Sequence, residues 1–296
     1  MAGTRCGVPA TLWHIGLTTS QSLDVVTNQC AVNTDPKQVS CSRAWPLFST
    51  LWNTAHMGAI KGARERARAE ITDAIKTQAR RQLAADGAAR LSLRAVAREL
   101  GMVPSALYRY FPSRDDLLTA LIIDAFEAVG EAAEMALKDS GSTDLMREWV
   151  AVCRAVRRWA LGHPHEYALI YGAPVPDYRA PQETVKPASR VALVLLSLAE
   201  SALATDALKA PAQGVPPATV LDSDVLELAQ ESDRAVPQDV LPWVVTAWAQ
   251  LFGLISFEVF GHFQRVVEAP EEMFDQAVIA LAHQTGLKSS KADGTT

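Results

Sequence analysis

Apolar residues recur along most of this chain at helical spacing. Leu93, Val96, Ala97 and Leu100 fall at i, i+3, i+4 and i+7, which sets one face of a helix against a core. Gly101 interrupts the pattern where a tight turn needs a residue free to take positive φ. Ser92 precedes this helix as an N-cap, and Pro104 suits the first turn of a second, short one over about 104–110. Leu107 and Phe111 anchor that second helix inward. Ser113 then caps a third start, with Asp115 and Asp116 in a first turn where they complement the helix dipole. Upstream, Ala67, Ile71, Ile75, Ala79 and Leu83 make a stripe over about Ala67 to Ala85, ended by Asp86-Gly87. Downstream, Leu118, Leu121, Ile122, Ala125 and Val129 predict a long helix from Leu117 to about Lys138.

Ser140 to Thr143 marks a break, and helical patterns resume over Leu145 to Leu161, Glu183 to Leu208 and Val240 to Phe263. No segment alternates as a strand does, so the class is all-α. The expected organisation is an extension or misassigned start over 1–60 and a three-helix head over 61–116. A connecting helix over 117–140, a second helical domain over 141–285 and a disordered tail over 286–296 complete it. Val191 to Ala199 and Trp243 to Phe257 are apolar around most of their circumference, so each must be buried on all sides. Trp243 to Phe257 includes Gln250 and is followed by Glu258, and a bilayer span takes about 20 apolar residues. A homodimer interface, and no membrane, is therefore the expected cover.

The net charge of −5 would argue against a nucleic-acid partner if it were evenly spread. Residues 61–116 instead carry 12 Lys/Arg against 7 Asp/Glu, while residues 117–296 carry 13 against 24. A basic head on an acidic body is the asymmetry of a protein in which one domain meets phosphate. Lys61, Arg64, Arg66 and Arg68 form a basic arm; on its own such a run reads as a solvated face, but directly ahead of this head it can reach a neighbouring phosphate or the minor groove. The second short helix turns Ser105, Tyr108 and Arg109 outward, a combination suited to phosphate and base-edge contacts.

Cys6, Cys30 and Cys41 sit in a first segment with few charges and no sustained period. No basic stretch followed by a long apolar run marks a signal peptide there, so a cytoplasmic protein is expected. No Cys-x2-Cys pair marks a zinc site, and neither a metal nor a cofactor is expected. His163, His165 and Glu166 lack the HExxH spacing of a metal site.

The run ELGMVPSALYRYFPSRDDLLTAL closely resembles the helix-turn-helix of TetR-family transcriptional regulators. Val103 departs from it, standing where the family often has a Ser or Thr that caps the recognition helix. The stretch RRWALGHPHEYALIYGAPVPDYRAP resembles the TetR-type C-terminal domain named for its Trp, His and Gly, here Trp159, His163 and Gly172. Ala247 to Phe263 is similar to the end of that domain. The resemblance spans roughly Ala63 to His283. It implies a DNA-binding head, a C-terminal ligand-binding and dimerisation domain, and a fourth helix whose tilt couples them.

The implied protein is a ligand-responsive repressor that binds a near-palindromic double-stranded operator as a homodimer and is released by a small-molecule effector. The expected DNA-contacting residues are Ser92, Arg94, Pro104, Ser105, Ala106, Tyr108, Arg109, Tyr110 and Arg114. Of these, Tyr108, Tyr110 and Arg114 hold phosphates, while Pro104, Ser105 and Arg109 face base edges. The expected ligand residues are Trp159, His163, Tyr167 and Tyr171, with a purely structural turn at Gly162-His163-Pro164 as the alternative for His163. The Pro-rich loop GAPVPDYRAP is placed to lie over such a cavity. Two other classes compete. A non-specific architectural DNA-binding protein would have no preferred operator and no pocket. An enzyme using His163 or His262 as base would need a nucleophile, phosphate loop or metal spacing beside it, and the sequence supplies none.

Overall fold

A computed structural model describes residues 45–142, 144–208, 221–222 and 240–288, with side chains from Gly62 onward. The chain divides into two compact units, residues 1–64 and 65–296. Of the first unit, helical backbone over 45–64 is described, with side chains at 62–64 alone. The described helices are α1 (Trp45–Asp86), α2 (Leu93–Glu99), α3 (Pro104–Leu107), α4 (Arg114–Asp139), α5 (Leu145–Gly162), α6 (Pro164–Tyr171), α7 (Val185–Ala204), α8 (Leu241–Val259) and α9 (Pro270–Gln284). Among the described residues the only β-type pairing is an isolated bridge between Leu208 and Leu287.

The first helix begins earlier than its apolar stripe. Of the extension expected over 1–60, residues 1–44 and their three cysteines lie outside the described residues, whereas 45–60 are already helical. Pro46 occupies a first-turn position that helices tolerate, and no proline interrupts the helix after it. The basic arm is corrected for the same reason. Ala, Arg and Glu are strong helix formers, so 61–68 continue α1 and are not an extended arm. Ala67 is exposed, and the buried stripe starts in earnest at Ile75, Ala79 and Leu83.

Two hydrophobic clusters organise the second unit. The head cluster joins Ile75, Ala79 and Leu83 of α1 to Val96 and Ala97 of α2, Leu107 and Phe111 around α3, and Leu117, Leu118 and Leu121 of α4. The body cluster begins further along α4, at Ala125, Val129 and Ala133, and takes in α5, α7, α8 and α9. Helix α4 thus belongs to both. The Trp149 indole N–H donates to the Val278 carbonyl at 2.8 Å and ties α5 to α9.

Helix α7, expected over Val191 to Ala199 to be covered by a second copy, sets one side of its circumference into the core of its own chain. Val191, Val194, Leu195, Leu196, Leu198 and Ala202 are all buried in the body cluster. Segments Gln182–Ala204 and Leu241–Val259 are long and apolar enough in composition to cross a bilayer, yet both contribute buried residues to that cluster. Helix α9 was not anticipated as a separate element. Its signal is Pro270 with Glu271 and Glu272 in a first turn, then Phe274, Val278 and Leu281 on the buried side. The expected tail over 286–296 starts ordered: Leu287 is buried, and the Lys288 N–H donates to the Ala207 carbonyl at 2.8 Å. Residues 289–296, the loop Lys209 to Ala218 and most of Asp222 to Asp239 lie outside the described residues.

Candidate functional site

In the head, the turn between α2 and α3 is built from local chemistry. The Ser92 hydroxyl accepts from the Ala95 N–H at 3.4 Å, and the Ser92 N–H donates to Gln82 Oε1 at 3.1 Å. Gly101 takes φ 65°, which an L side chain rarely adopts. Val103 is the N-cap of α3, with φ −70°, ψ 137° and no side-chain cap, and is 65% exposed. Leu107 is wholly buried and Phe111 nearly so, which fixes what the helix shows outside.

Pro104, Ser105, Tyr108 and Arg109 are exposed, Ala106 and Tyr110 are half-buried, and Arg94 lies exposed on α2 beside half-buried Ser92. A residue from α1 joins them. The Arg68 guanidinium sits 5.1 Å above the Tyr110 ring and donates to the Arg109 carbonyl at 3.2 Å. Arg114 differs from the rest. Its Nη2 donates to the Ala88 and Ala89 carbonyls at 3.0 and 3.3 Å, and its Nη1 lies 3.5 Å from Asp115. It clamps the α1–α2 connection to the start of α4. There Ser113 and Asp116 form a reciprocal capping box.

The four expected ligand residues fall in two contacting pairs, Trp159 with His163 and Tyr167 with Tyr171. His163 is exposed, and its Nδ1 is 2.9 Å from the Trp159 carbonyl, with the two rings stacked at 5.4 Å. It therefore caps α5 at the Gly162-His163-Pro164 turn. Trp159 is buried against the core and edges a groove of about 780 Å³ lined also by Met135, Arg154, Arg158 and Glu271. The Tyr167 hydroxyl is fully engaged, donating to the Phe252 carbonyl at 3.0 Å and sharing a 2.8 Å hydrogen bond with Ser256. Burial pushes its phenol up to about 12, and the Ser256 hydrogen bond works weakly against that.

Tyr171 is different. Its hydroxyl is shielded from solvent and has no hydrogen-bond partner, and the same is true of the Trp248 indole N–H. Tyr171 lies edge-on to Phe126 at 5.9 Å and stacks on Phe252 at 4.1 Å. Trp248 was missed by sequence reasoning because nothing in an apolar helix marks an indole as uncommitted.

Gly172 completes the Trp, His, Gly set for a steric reason. A Cβ there would lie 2.3 Å from the Ala168 carbonyl oxygen, so only glycine lets the chain leave α6 at that angle. The loop that follows does not cover a body cavity. Val175 and Tyr178 pack against the head cluster, and the Tyr178 hydroxyl is 2.9 Å from that of Thr119. Close by, Lys76 and Arg80 of α1 bond Asp124 of α4 at 2.8 and 2.6 Å, and Arg80 Nε also bonds Glu166 of α6 at 2.8 Å. His262 lies against Phe257 at 5.1 Å between ring centroids. Neither His163 nor His262 has a nucleophile or acid placed to work with it among the contacts described.

Residues 75–121 match the family of bacterial regulatory proteins called tetR, and residues 149–281 match the tetracyclin repressor-like C-terminal domain. The HTH-type transcriptional regulator Rv1816 of Mycobacterium tuberculosis is 38% identical over 211 residues, covering 71% of this chain and 88% of that one. Mb1846 of Mycobacterium bovis, also an HTH-type transcriptional regulator, aligns equally well. A crystal structure described as regulatory protein SCO4313 is 32% identical with a TM-score of 0.59, covering 74% of this chain and 98% of that one. A tetR-family regulatory protein from Rhodococcus RHA1 shares the fold at 14% identity and TM-score 0.51, covering 74% of this chain and 98% of that one.

Proposed function

Because the chain belongs to the TetR family of transcriptional regulators, we propose that it is a cytoplasmic repressor, a homodimer on a near-palindromic operator, released by a small-molecule effector. The observation that carries this reading is the exposed face of α3, set on the buried anchors Leu107 and Phe111. Pro104, Ser105 and Arg109 read base edges, with Ala106 allowing close approach. Ser92, Arg94, Tyr108 and Tyr110 hold phosphates, and Arg68, over the Tyr110 ring, joins them. Arg114 acts at one remove, by holding the turn that places this surface.

Dimerisation is supported by the α8–α9 face. Gly253, Leu254, Phe257, Phe263, Ala277 and Ala280 line an open trough of about 520 Å³, and Phe257 is 54% exposed. Small residues beside aromatic ones let helices of two protomers approach closely. Two heads related by a two-fold axis then enter successive major grooves about 34–36 Å apart. Release follows from linkage: an effector that fits the body better when the heads are wrongly spaced lowers operator affinity by that preference.

The test is binding of the full chain to DNA from around its own coding region, at several salt concentrations and against excess random duplex. Saturable binding to a near-palindrome that survives competitor is the expected result. Binding that random duplex removes completely at every salt concentration would replace this reading with the architectural one.

A further inference from the structure

Native interiors hold few buried polar atoms without a partner, and each calls for an explanation. Among the described residues two side-chain atoms are in that position, the Tyr171 hydroxyl and the Trp248 indole nitrogen. They are neighbours, with ring centroids 6.4 Å apart in an edge-to-face arrangement, one at the end of α6 and the other midway along α8. One turn earlier on α6, Tyr167 presents the same side chain to the same helix with its hydroxyl fully bonded. The helix therefore carries one tyrosine committed to the fold and one that is not.

We propose that Tyr171 and Trp248 are a ligand-binding pair that takes a flat, uncharged molecule bearing an acceptor oxygen. This rests on the effector reading and gives that site its chemistry. The indole N–H can only donate. Burial raises the Tyr171 phenol, so its hydroxyl stays protonated and also donates; a hydrogen-bond pull from the Trp248 side chain works the other way, although the two atoms do not reach hydrogen-bond geometry. Two buried donors without a partner, on neighbouring rings, select an acceptor. The rings around them, Phe126, Tyr167 and Phe252, offer stacking and edge contacts, and no cation is among their contacts in the described residues, which selects a flat neutral body over a carboxylate.

Phe126, Tyr171 and Trp248 are each only half-buried as residues, so the cluster reaches the surface. Rotating Tyr171 aside breaks no hydrogen bond of its hydroxyl, because it has none. The ligand oxygen then supplies both missing partners at once.

Two measurements on the full chain decide it. In the first, Tyr171→Phe melts at or above the wild-type temperature, because it removes an unpartnered hydroxyl, while Tyr167→Phe melts lower. Equal losses would mean that the Tyr171 hydroxyl is bonded in solution and would overturn the pair. In the second, calorimetry compares coumarin, a flat neutral lactone, with naphthalene, which has no acceptor. Coumarin binds the wild type about fivefold more tightly than naphthalene, the size of one net hydrogen bond, and Tyr171→Phe removes that preference. Equal affinities, no binding of either compound, or a preference that survives in the variant overturns the proposal. The operator assay separates it from the effector reading. Tyr171-dependent coumarin binding that leaves DNA affinity unchanged keeps the pair and removes the effector role. Release of DNA that ignores Tyr171→Phe does the reverse.

Discussion

The recognition helix begins without a side-chain cap, and supplying one should stabilise the head. Val103 already has the extended backbone of an N-cap residue, and its side chain accepts nothing. Val103→Thr keeps the shape and exchanges one methyl for a hydroxyl that can accept from the N–H groups of Ser105 or Ala106. Because the side chain is 65% exposed, little apolar burial is lost in the exchange. Caps of this kind contribute about 1 kcal/mol, which for a unit of this size raises the melting temperature by roughly 2–4 °C. The assay is thermal unfolding of the full chain by circular dichroism, with Val103→Ala as the variant that removes the methyls without adding an acceptor. Ser113→Ala, which breaks the capping box on α4, should lower stability by a similar ~1 kcal/mol and shows that the assay resolves an effect of that size. A Val103→Thr protein that melts no higher than Val103→Ala, while Ser113→Ala melts lower than wild type, would refute the reasoning. A better-ordered recognition helix should also bind the operator more tightly, since less ordering is left for the complex.

Gly172→Ala should destabilise the body by ~2 kcal/mol or more, because its Cβ meets backbone at 2.3 Å and no flexible side chain is there to yield; chemical unfolding measures it, and a neutral result would mean that α6 ends differently. Arg114→Ala should lower thermal stability through the lost Ala88 and Ala89 contacts and leave the salt dependence of DNA binding nearly unchanged. Arg68→Ala and Arg94→Ala should each reduce the salt slope by roughly 0.9 per lost phosphate contact, and the reverse ranking would return Arg114 to the phosphate-binding set. Hydrogen bonding to Arg154 holds the Asp275 carboxyl below the usual aspartate range. Its folded value is therefore below its unfolded one, and its contribution is present above about pH 4 and lost as pH falls through the folded value. Asp275→Asn should flatten the acid limb of the profile of melting temperature against pH without altering its shape near neutrality.

The head was legible because its rules are local. Ser92, Gly101, Pro104 and Ser113 each act within four residues of themselves, and spacing alone places Val96, Leu107 and Phe111 on one core. What spacing does not carry is the choice a long side chain makes among distant partners. Arg114 looks like any exposed arginine at a helix start, yet it is turned back to carbonyls 25 and 26 residues upstream. Tyr167 and Tyr171 are equivalent in sequence, and only the position of Phe252 and Ser256 on α8 distinguishes them. The apolar circumference of α7 signals burial but not how much of it the chain itself supplies. A helix covered by its own chain and one covered by a second copy read alike.

Helix α6 is where the two halves of the protein bear on each other. Its eight residues carry Tyr167 and Tyr171 toward the aromatic rings of α8. They also carry Glu166 to Arg80 of the head, and Leu169 into the head cluster. The loop leaving it returns Tyr178 to Thr119, near the start of α4. A short helix held at both sides cannot adjust to one without shifting against the other, since packed interiors yield little. The ion pairs involved are a fifth to a third exposed, so each is individually weak and can exchange between arrangements at small cost. Arg80, bonded to both Asp124 and Glu166, is the residue through which a displacement of α6 reaches α1 and α4 together. Arg80→Met should therefore leave the fold and the aromatic cluster intact while reducing the effect of any body ligand on operator affinity, and unchanged coupling in that variant would place the connection along α4 alone.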